Sequence, residues 1–514
     1  MNSEIIYSKE DLKLIHKGIK KVTDIISVTF GPAGHKMVSK ERDGELWITN
    51  DAELIIHDLH FQDYYEEVGR KLIVELYDIF CAESGSGGKT AILILETLLY
   101  RIIRALDKNI DIQGYFKGLR LASDYVYQSL DKGTLELDIE NKLRLIQTVM
   151  GREYTIDTNL INVIDKNVPL FMHPILESTS RYEITDGCII PCGISSKHHY
   201  NGTCQQLKDC KVLLFSKPLT DVNWLAKFLL SVGESGNCLV IFAADFSEQV
   251  LVIIHSFQRK NLLKCLPIKV SSDNRIYMRL LKDIAILTGT RIFSHVDSNN
   301  LASLSINDLG HAAEITASSS QTFLELDNIH IDNQMKEIQS CMKALESSRG
   351  GARTALCSRL SWLRAKIGVL YLSESASPPF LNYRRALKKG LNTYLKNGEE
   401  GIVAGGGISY LRSLNTLHVL EAELKDISVS YGVRALRFAI LQPYKHILRN
   451  AGVDYRPQLT QLIQQYSNLG YDANEKRYVD LLENGTVDSK LGVRKAIEHS
   501  NAFICKLLTQ SDVQ

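Results

Sequence analysis

The sequence predicts a multidomain α+β protein in which a mostly helical domain is assembled from both ends of the chain and an α/β domain is inserted between them. Three observations point there. Apolar residues recur with helical spacing near both ends, short apolar runs alternate with amphipathic helices in the middle, and 514 residues are too many for one hydrophobic core.

Near the start, Leu12, Ile15, Ile19, Val22 and Ile26 form one stripe of a helix over Asp11–Ile26, which ends before the turn-forming Gly31-Pro32. Tyr65–Phe80 and Ala91–Ala105 repeat the helical period, with the glycine-bearing loop Gly85–Gly88 between them. In the centre, the runs Lys211–Phe215, Leu239–Phe242 and Arg291–Phe293 read as strands. They alternate with helices over Val222–Val232, Ser247–Phe257 and Arg275–Thr288, the pattern of an α/β layer. From Val429 to Leu508 the pattern is helical again, and no internal repeat or low-complexity segment interrupts it.

With 45% hydrophobic residues, 23% charged and 10 prolines, the composition is that of an ordinary globular protein. Lys plus Arg total 60 against 59 Asp plus Glu, so a net charge of +1 gives no electrostatic ground for nucleic acid or an acidic membrane surface as partner. The start, Met1–Ile6, has neither a basic region leading into an apolar core nor an Arg/Ser-rich leader, so a cytoplasmic location is expected. The apolar runs Cys238–Ala244 and Val250–Ile254 are far too short to span a bilayer. Ten irregularly spaced cysteines suit reduced thiols. Cys188, Cys192, His198, His199, Cys204 and Cys210 fall close together but lack the paired C-x-x-C turns that present thiolates to one zinc ion. They read as a loop with scattered thiols, zinc being the rival reading, and no metal ligand is assigned.

Two loops suit phosphate, because glycine lets backbone N–H groups converge on anionic oxygens: Gly31-Pro32 after Thr29-Phe30, and Gly85-Ser86-Gly87-Gly88 opening a helix that begins near Thr90; taken alone, each is more often a structural turn. The tail of the second loop, Gly87-Gly88-Lys89-Thr90, also looks like the end of the P-loop of an NTPase enzyme. That motif wants a glycine where the chain has Glu83, and a strand where Leu72–Phe80 reads as helix.

Taken together, Thr29–Gly34, Ile48-Thr49-Asn50-Asp51, Gly85–Thr90, Val403-Ala404-Gly405-Gly406-Gly407 and Gly470-Tyr471-Asp472-Ala473 resemble, in order and separation, the nucleotide pocket of a bacterial-type (group I, GroEL-like) chaperonin. Lys282–Gly289 and Asn307-Asp308-Leu309-Gly310 extend the resemblance, so the chain is similar to a divergent member over nearly its full length. The resemblance implies an equatorial domain from 1–132 and 400–514, an intermediate domain from 133–179 and 368–399, and an apical α/β domain from 180–367. It further implies ATP as cofactor, non-native proteins as clients, a GroES-like co-chaperonin, and ring assembly with itself or a paralogue. The Gly/Met-rich tail common in the family is not seen in Leu507–Gln514.

Residue by residue, the resemblance assigns Thr29, Phe30, Gly31 and Pro32 to the first phosphate loop, Asp51 to an acid near the γ-phosphate, and Gly85, Ser86, Gly87, Gly88, Lys89 and Thr90 to the second loop. Gly405 and Gly406 fall on the ribose and base side, Asp472 and Ala473 at the base, and Asp488 near the ribose. Two acids of the family pattern are missing: Ser86 stands where an aspartate ligates Mg2+, and Lys389 stands where an aspartate activates water. Asn50 replaces a basic residue, and Arg181 and Ala365-Lys366 fall at hinge positions where the family has glycine. Impaired hydrolysis is therefore expected, or its extreme, a non-hydrolysing binding or assembly protein. Client contacts are implied for Leu225, Phe228 and Leu229 on one helix and Val250, Ile253 and Ile254 on the next, while a strand segment the family uses is altered to Gly187–Gly193.

Overall fold

A computed structural model describes residues 9–40, 46–154, 156, 160, 170–175, 181–190, 192–195, 204–270, 274–293, 304–318, 321–326, 331–347, 356, 359–360, 363, 366–373, 378–397, 400–465 and 467–509. The chain forms two compact units, one from Met1–Ile156 together with Ala376–Gln514, the other from Asp157–Ser375.

The first unit begins with α1 (Lys9–Val28), whose stripe Leu12, Ile15, Ile19, Val22 and Ile26 is buried. Then come an antiparallel pair, β1 (Met37–Lys40) and β2 (Leu46–Thr49), and helices α2 (Ala52–Asp58), α3 (Tyr64–Ser84), α4 (Gly88–Leu106), α5 (Ile112–Lys132) and α6 (Ile139–Met150). Asp51, Asp63, Asp111 and Asp138 start α2, α3, α5 and α6 by accepting backbone N–H bonds of the first turn, which satisfies donors no helical carbonyl reaches. Helix α4 is buried on every side over Ala91–Leu95 and forms the centre of the unit, against α1 and α3.

The second unit contains β3 (Leu170–Ile175), β4 (Arg181–Ile190), β5 (Gly193–Ile194), β6 (Cys204–Phe215), α7 (Val222–Glu234), β7 (Cys238–Ala243), α8 (Glu248–Arg259), β8 (Cys265–Lys269), α9 (Asn274–Thr288), β9 (Ile292–Phe293), β10 (Gly310–Ser318), β11 (Thr322–Glu325), α10 (Ile331–Ser347) and β12 (Lys366–Ser373). Its sheet runs β3-β12-β4-β11-β10-β6-β7-β8-β5, with β9 also paired to β6. Strands β6, β7 and β8 are parallel and crossed over by α7 and α8, as their alternation predicts. Val212, Leu214, Val240, Phe242, Leu266 and Ile268 pack with α9 on one face, while Leu213, Phe215, Leu239 and Ile241 pack with α7 and α8 on the other. Asp283 of α9 is buried and receives Arg359 through Nε at 3.0 Å and Nη2 at 2.7 Å; the same Nη2 meets Glu337 of α10 at 2.9 Å. The Lys282–Gly289 motif thus carries a structural ion pair.

The first unit resumes with α11 (Pro378–Asn397), β13 (Ile402–Ala404), α12 (Ile408–Leu411), α13 (Leu414–Glu423), α14 (Ile427–Ala439), α15 (Gln442–Asn450), α16 (Arg456–Gln465), β14 (Leu469–Asp472), β15 (Arg477–Asp480), β16 (Val487–Ser489) and α17 (Lys490–Thr509). Helices α14 and α17 close the core around α4. The expected helical stretch Val429–Leu508 is therefore interrupted. A β14–β15 hairpin turns at Lys476, held at φ 56°, and the Asp472 carboxylate fixes that turn by accepting from Asn474 N at 2.8 Å and Glu475 N at 3.2 Å. Strand β16 pairs with β13 instead of continuing a helix.

Candidate functional site

Helix α1 stops at Val28 because the next turn folds on itself: Thr29 Oγ1 donates to Ile26 O at 2.9 Å, His35 N to Val28 O at 2.9 Å, and Gly31 takes φ 77°. Asn450, the last residue of α15, donates from Nδ2 to Ser27 O and Phe30 O, both at 2.8 Å, and so holds this first loop from outside. The loop between α3 and α4 turns at Gly85 (φ 82°) and Gly87 (φ 97°), a helix–loop–helix connection. Gly85 lies so close to α11 that an added Cβ would come within 2.6 Å of Thr393 Cα. Because a helix feeds this loop, the strand–loop–helix geometry of a P-loop enzyme is not formed, which corrects that rival reading.

Lys89, in the first turn of α4, spans the two loops. Its Nζ donates to Thr29 O at 2.8 Å and to Asn50 O at 2.7 Å. Asp51 caps α2 by accepting from Glu53 N at 3.1 Å, and its Oδ1 also accepts from Lys389 Nζ of α11 at 3.1 Å. Thr29, Asp51, Lys89 and Lys389 are thereby one cluster. Burial, then repulsion from Lys389, pushes the Lys89 ammonium down to about 8, with Asp51 opposing. Burial alone would push the Asp51 carboxyl up, but Lys389 and Lys89 outweigh it and hold it below the usual carboxylate range.

A second wall is the turn after β13. Gly405 N donates to Thr486 O at 3.1 Å, and Gly406 and Gly407 take φ 64° and 79°. Val403 pairs with Asp488, whose carboxyl burial pushes up to about 6 although part of the residue remains exposed. Asp472 is buried, and besides the hairpin N–H groups it meets Arg152 Nη2 at 2.9 Å and Asn484 Nδ2. Its acceptor sites are thus taken up inside the protein, and the neighbouring Ala473 is buried too. Helix α15 joins the two walls: Ile447 lies against Gly31, Tyr444 against Gly407, and Asn450 on the first loop. Ser86 O lies near Gly492 of α17, completing the ring of segments; Pro32 falls in the first loop and Thr90 in the first turn of α4. Asn450, Arg152 and Lys396, which donates to Cys81 O and Ala82 O at 3.0 and 2.7 Å, belong to none of the motifs and are legible only in the fold.

The implied client surface differs from expectation. Leu225, Phe228, Leu229, Val250 and Ile254 are buried in the core between α7, α8 and the sheet, and Ile253 is half-buried, because the apolar stripe is needed to cover β6 and β7. The apolar side chains left exposed there are Leu230 on α7, Val252 on α8 and Leu262 after it. Cys188, Cys192 and Cys210 are buried in the sheet unit; His198 and His199 lie outside the described residues. Among the described residues no group of three or more His, Cys, Asp or Glu could hold a metal ion, and no helix is long and apolar enough to cross a membrane.

This fold and arrangement of loops point to a chaperonin. The model of the TCP-1/cpn60 chaperonin family matches residues 22–513, and the chain belongs to that family. Among solved structures it is similar to the chaperonin gp146 from bacteriophage EL 2 (Pseudomonas aeruginosa), crystallised in the presence of ATP-BeFx. One crystal form gives a TM-score of 0.65 and another 0.61, each at 14% identity, covering 99% of this chain and 98% of that one.

Proposed function

We propose that this chain is a cytoplasmic, ring-forming chaperonin subunit that binds ATP and non-native proteins but hydrolyses ATP poorly or not at all. The observation that carries this reading is Lys389 Nζ at 3.1 Å from Asp51 Oδ1, in the position where the resemblance expects a water-activating aspartate. An ammonium already donating to the neighbouring acid neither accepts a proton from water nor leaves that acid free to do so. The backbone N–H groups of the turns at Gly31 and at Ser86–Gly87, with the N-terminus of α4 and the Lys89 side chain, would receive the phosphates, the N–H groups of Thr29, Phe30, Gly85 and Thr90 being spent on main-chain carbonyls and Pro32 having none; Gly405, Gly406, Ala473 and Asp488 would face the sugar and base.

Magnesium, which the family's chemistry implies, does not suit this donor set. Ser86 offers a neutral hydroxyl, Asp51 is paired with Lys389, and Lys89 brings a second positive charge. Coupling to client release is also weakened in this reading. Arg181 and Lys366 lie in paired strands, Arg181 opposite Tyr371 and Lys366 opposite Asp186, where a ladder resists large φ/ψ changes. Ring partners are copies of the chain or a paralogue, and a GroES-like co-chaperonin is the expected lid. The test is ATP binding and turnover by the purified protein, with assembly followed by light scattering on the same sample. Rings that bind ATP with negligible turnover fit; turnover at a rate ordinary for a chaperonin would sink the proposal.

A further inference from the structure

We propose that this pocket takes a nucleoside triphosphate as its metal-free anion, Lys89 and Lys389 supplying the positive charge that a divalent cation would otherwise bring. The inference rests on the nucleotide-binding reading above and concerns how the phosphates are neutralised.

The argument begins with the charges already present. Lys89 and Lys389 converge on one carboxylate, Asp51, so the cluster carries a net positive charge before any ligand arrives. Lys89 is fixed rather than free to swing away: two of its three N–H groups are spent on Thr29 O, at the start of the first phosphate loop, and on Asn50 O, beside Asp51. The third remains for a ligand oxygen. A main-chain carbonyl pair of this kind is also what a bare cation would use, so the ammonium occupies ground on which a cation would have to stand. An incoming divalent ion would meet two ammonium groups and a hydroxyl, with the Asp51 carboxylate already shared between α2 and Lys389. Phosphate oxygens meet the reverse: two cations, the N-terminus of α4 and the N–H groups of two glycine turns. Charge on the protein thus favours the anion and disfavours its usual counter-ion.

The test is isothermal titration of the purified full-length chain with ATP, once in millimolar magnesium and once in excess EDTA. Dissociation constants within about threefold of each other are expected, together with a loss of about tenfold or more in EDTA for Lys89→Met. Binding by the unaltered chain that weakens about tenfold or more in EDTA overturns the inference while leaving nucleotide binding intact. No binding in either buffer overturns the nucleotide-binding reading itself, and the inference with it. The two-buffer comparison needs no variant, so misfolding of Lys89→Met leaves the test decisive.

Discussion

Replacing Lys89 with methionine keeps the length of the side chain and removes its charge, and the consequence for stability depends on pH in a way that can be worked out. Lys89 has its ammonium lowered from the ordinary 10.5 to about 8 in the folded protein. Between those values the unfolded chain holds more protons than the folded one, so folding stability rises with pH across the window and the cost of the buried charge is fully present below pH 8. Going from about pH 7 to about pH 9.5, a shift of this size yields a gain of about 2 kcal/mol, reduced to about 1–2 kcal/mol because Lys89 keeps some contact with solvent. Lys89→Met lacks that gain. It also leaves the buried Thr29 O without its donor, at about 1–3 kcal/mol, while water can replace the donor at the exposed Asn50, so at neutral pH the loss partly offsets the gain from removing the buried charge. The assay is urea unfolding of both proteins at the two pH values, read as a difference of differences. Groups that titrate in the same range, such as the Cys81 thiol that burial pushes up, are common to both chains and cancel. Equal pH slopes for the two proteins would refute the reasoning, because the ammonium would then not be desolvated.

Arg359→Ala leaves Asp283 and Glu337 without their shared cation and should cost the sheet unit about 3–5 kcal/mol, read as a lower thermal midpoint; the double change Asp283→Leu with Arg359→Leu should recover most of it. Asn450→Ala frees the carbonyls of Ser27 and Phe30 and should weaken ATP binding about threefold to tenfold in titration calorimetry, with little change in far-UV circular dichroism. Ser86→Asp together with Lys389→Asp should raise ATP turnover in magnesium by about a hundredfold or more, whereas Ser86→Asp alone should not, since Lys389 would still engage Asp51. Leu230→Asp with Val252→Asp should reduce suppression of client aggregation while leaving the thermal midpoint within a few degrees; Leu225→Asp should instead unfold the sheet unit.

Much of the architecture is written in local patterns. The stripe from Leu12 to Ile26 becomes the buried face of α1, and the runs at Lys211 and Leu239 become β6 and β7, because burial of one face or two imposes a period that a reader can count. The glycine loops were legible for the same reason: positive φ at Gly31, Gly85 and Gly87 is chemistry that few other residues supply. What stayed hidden depends on the chain meeting itself at a distance. Asp51 and Lys389 are 338 residues apart, and no spacing rule says that they touch. Asn450 reaches the first loop from the end of an otherwise unremarkable helix. The hairpin at Leu469–Asp480 leaves little periodic signal because its short strands sit between strong helices, and what makes it is one carboxylate holding one turn. The stripes on α7 and α8 show the limit of periodicity. Spacing identifies an apolar face, but whether sheet or solvent lies beneath it is a tertiary fact.

The bridge made by Lys89 bears on signalling as well as affinity. A ligand shifts a conformational equilibrium only by the difference between its contacts in the two states. Where two loops come together only when a bound ion or phosphate joins them, occupancy and closure are the same event, and the rest of the subunit can sense it. Here the chain fastens Thr29 and Asn50 to each other with its own side chain. The loops are drawn together whether or not a nucleotide arrives, so arrival changes less. Such a pocket suits a permanent structural guest better than a fuel.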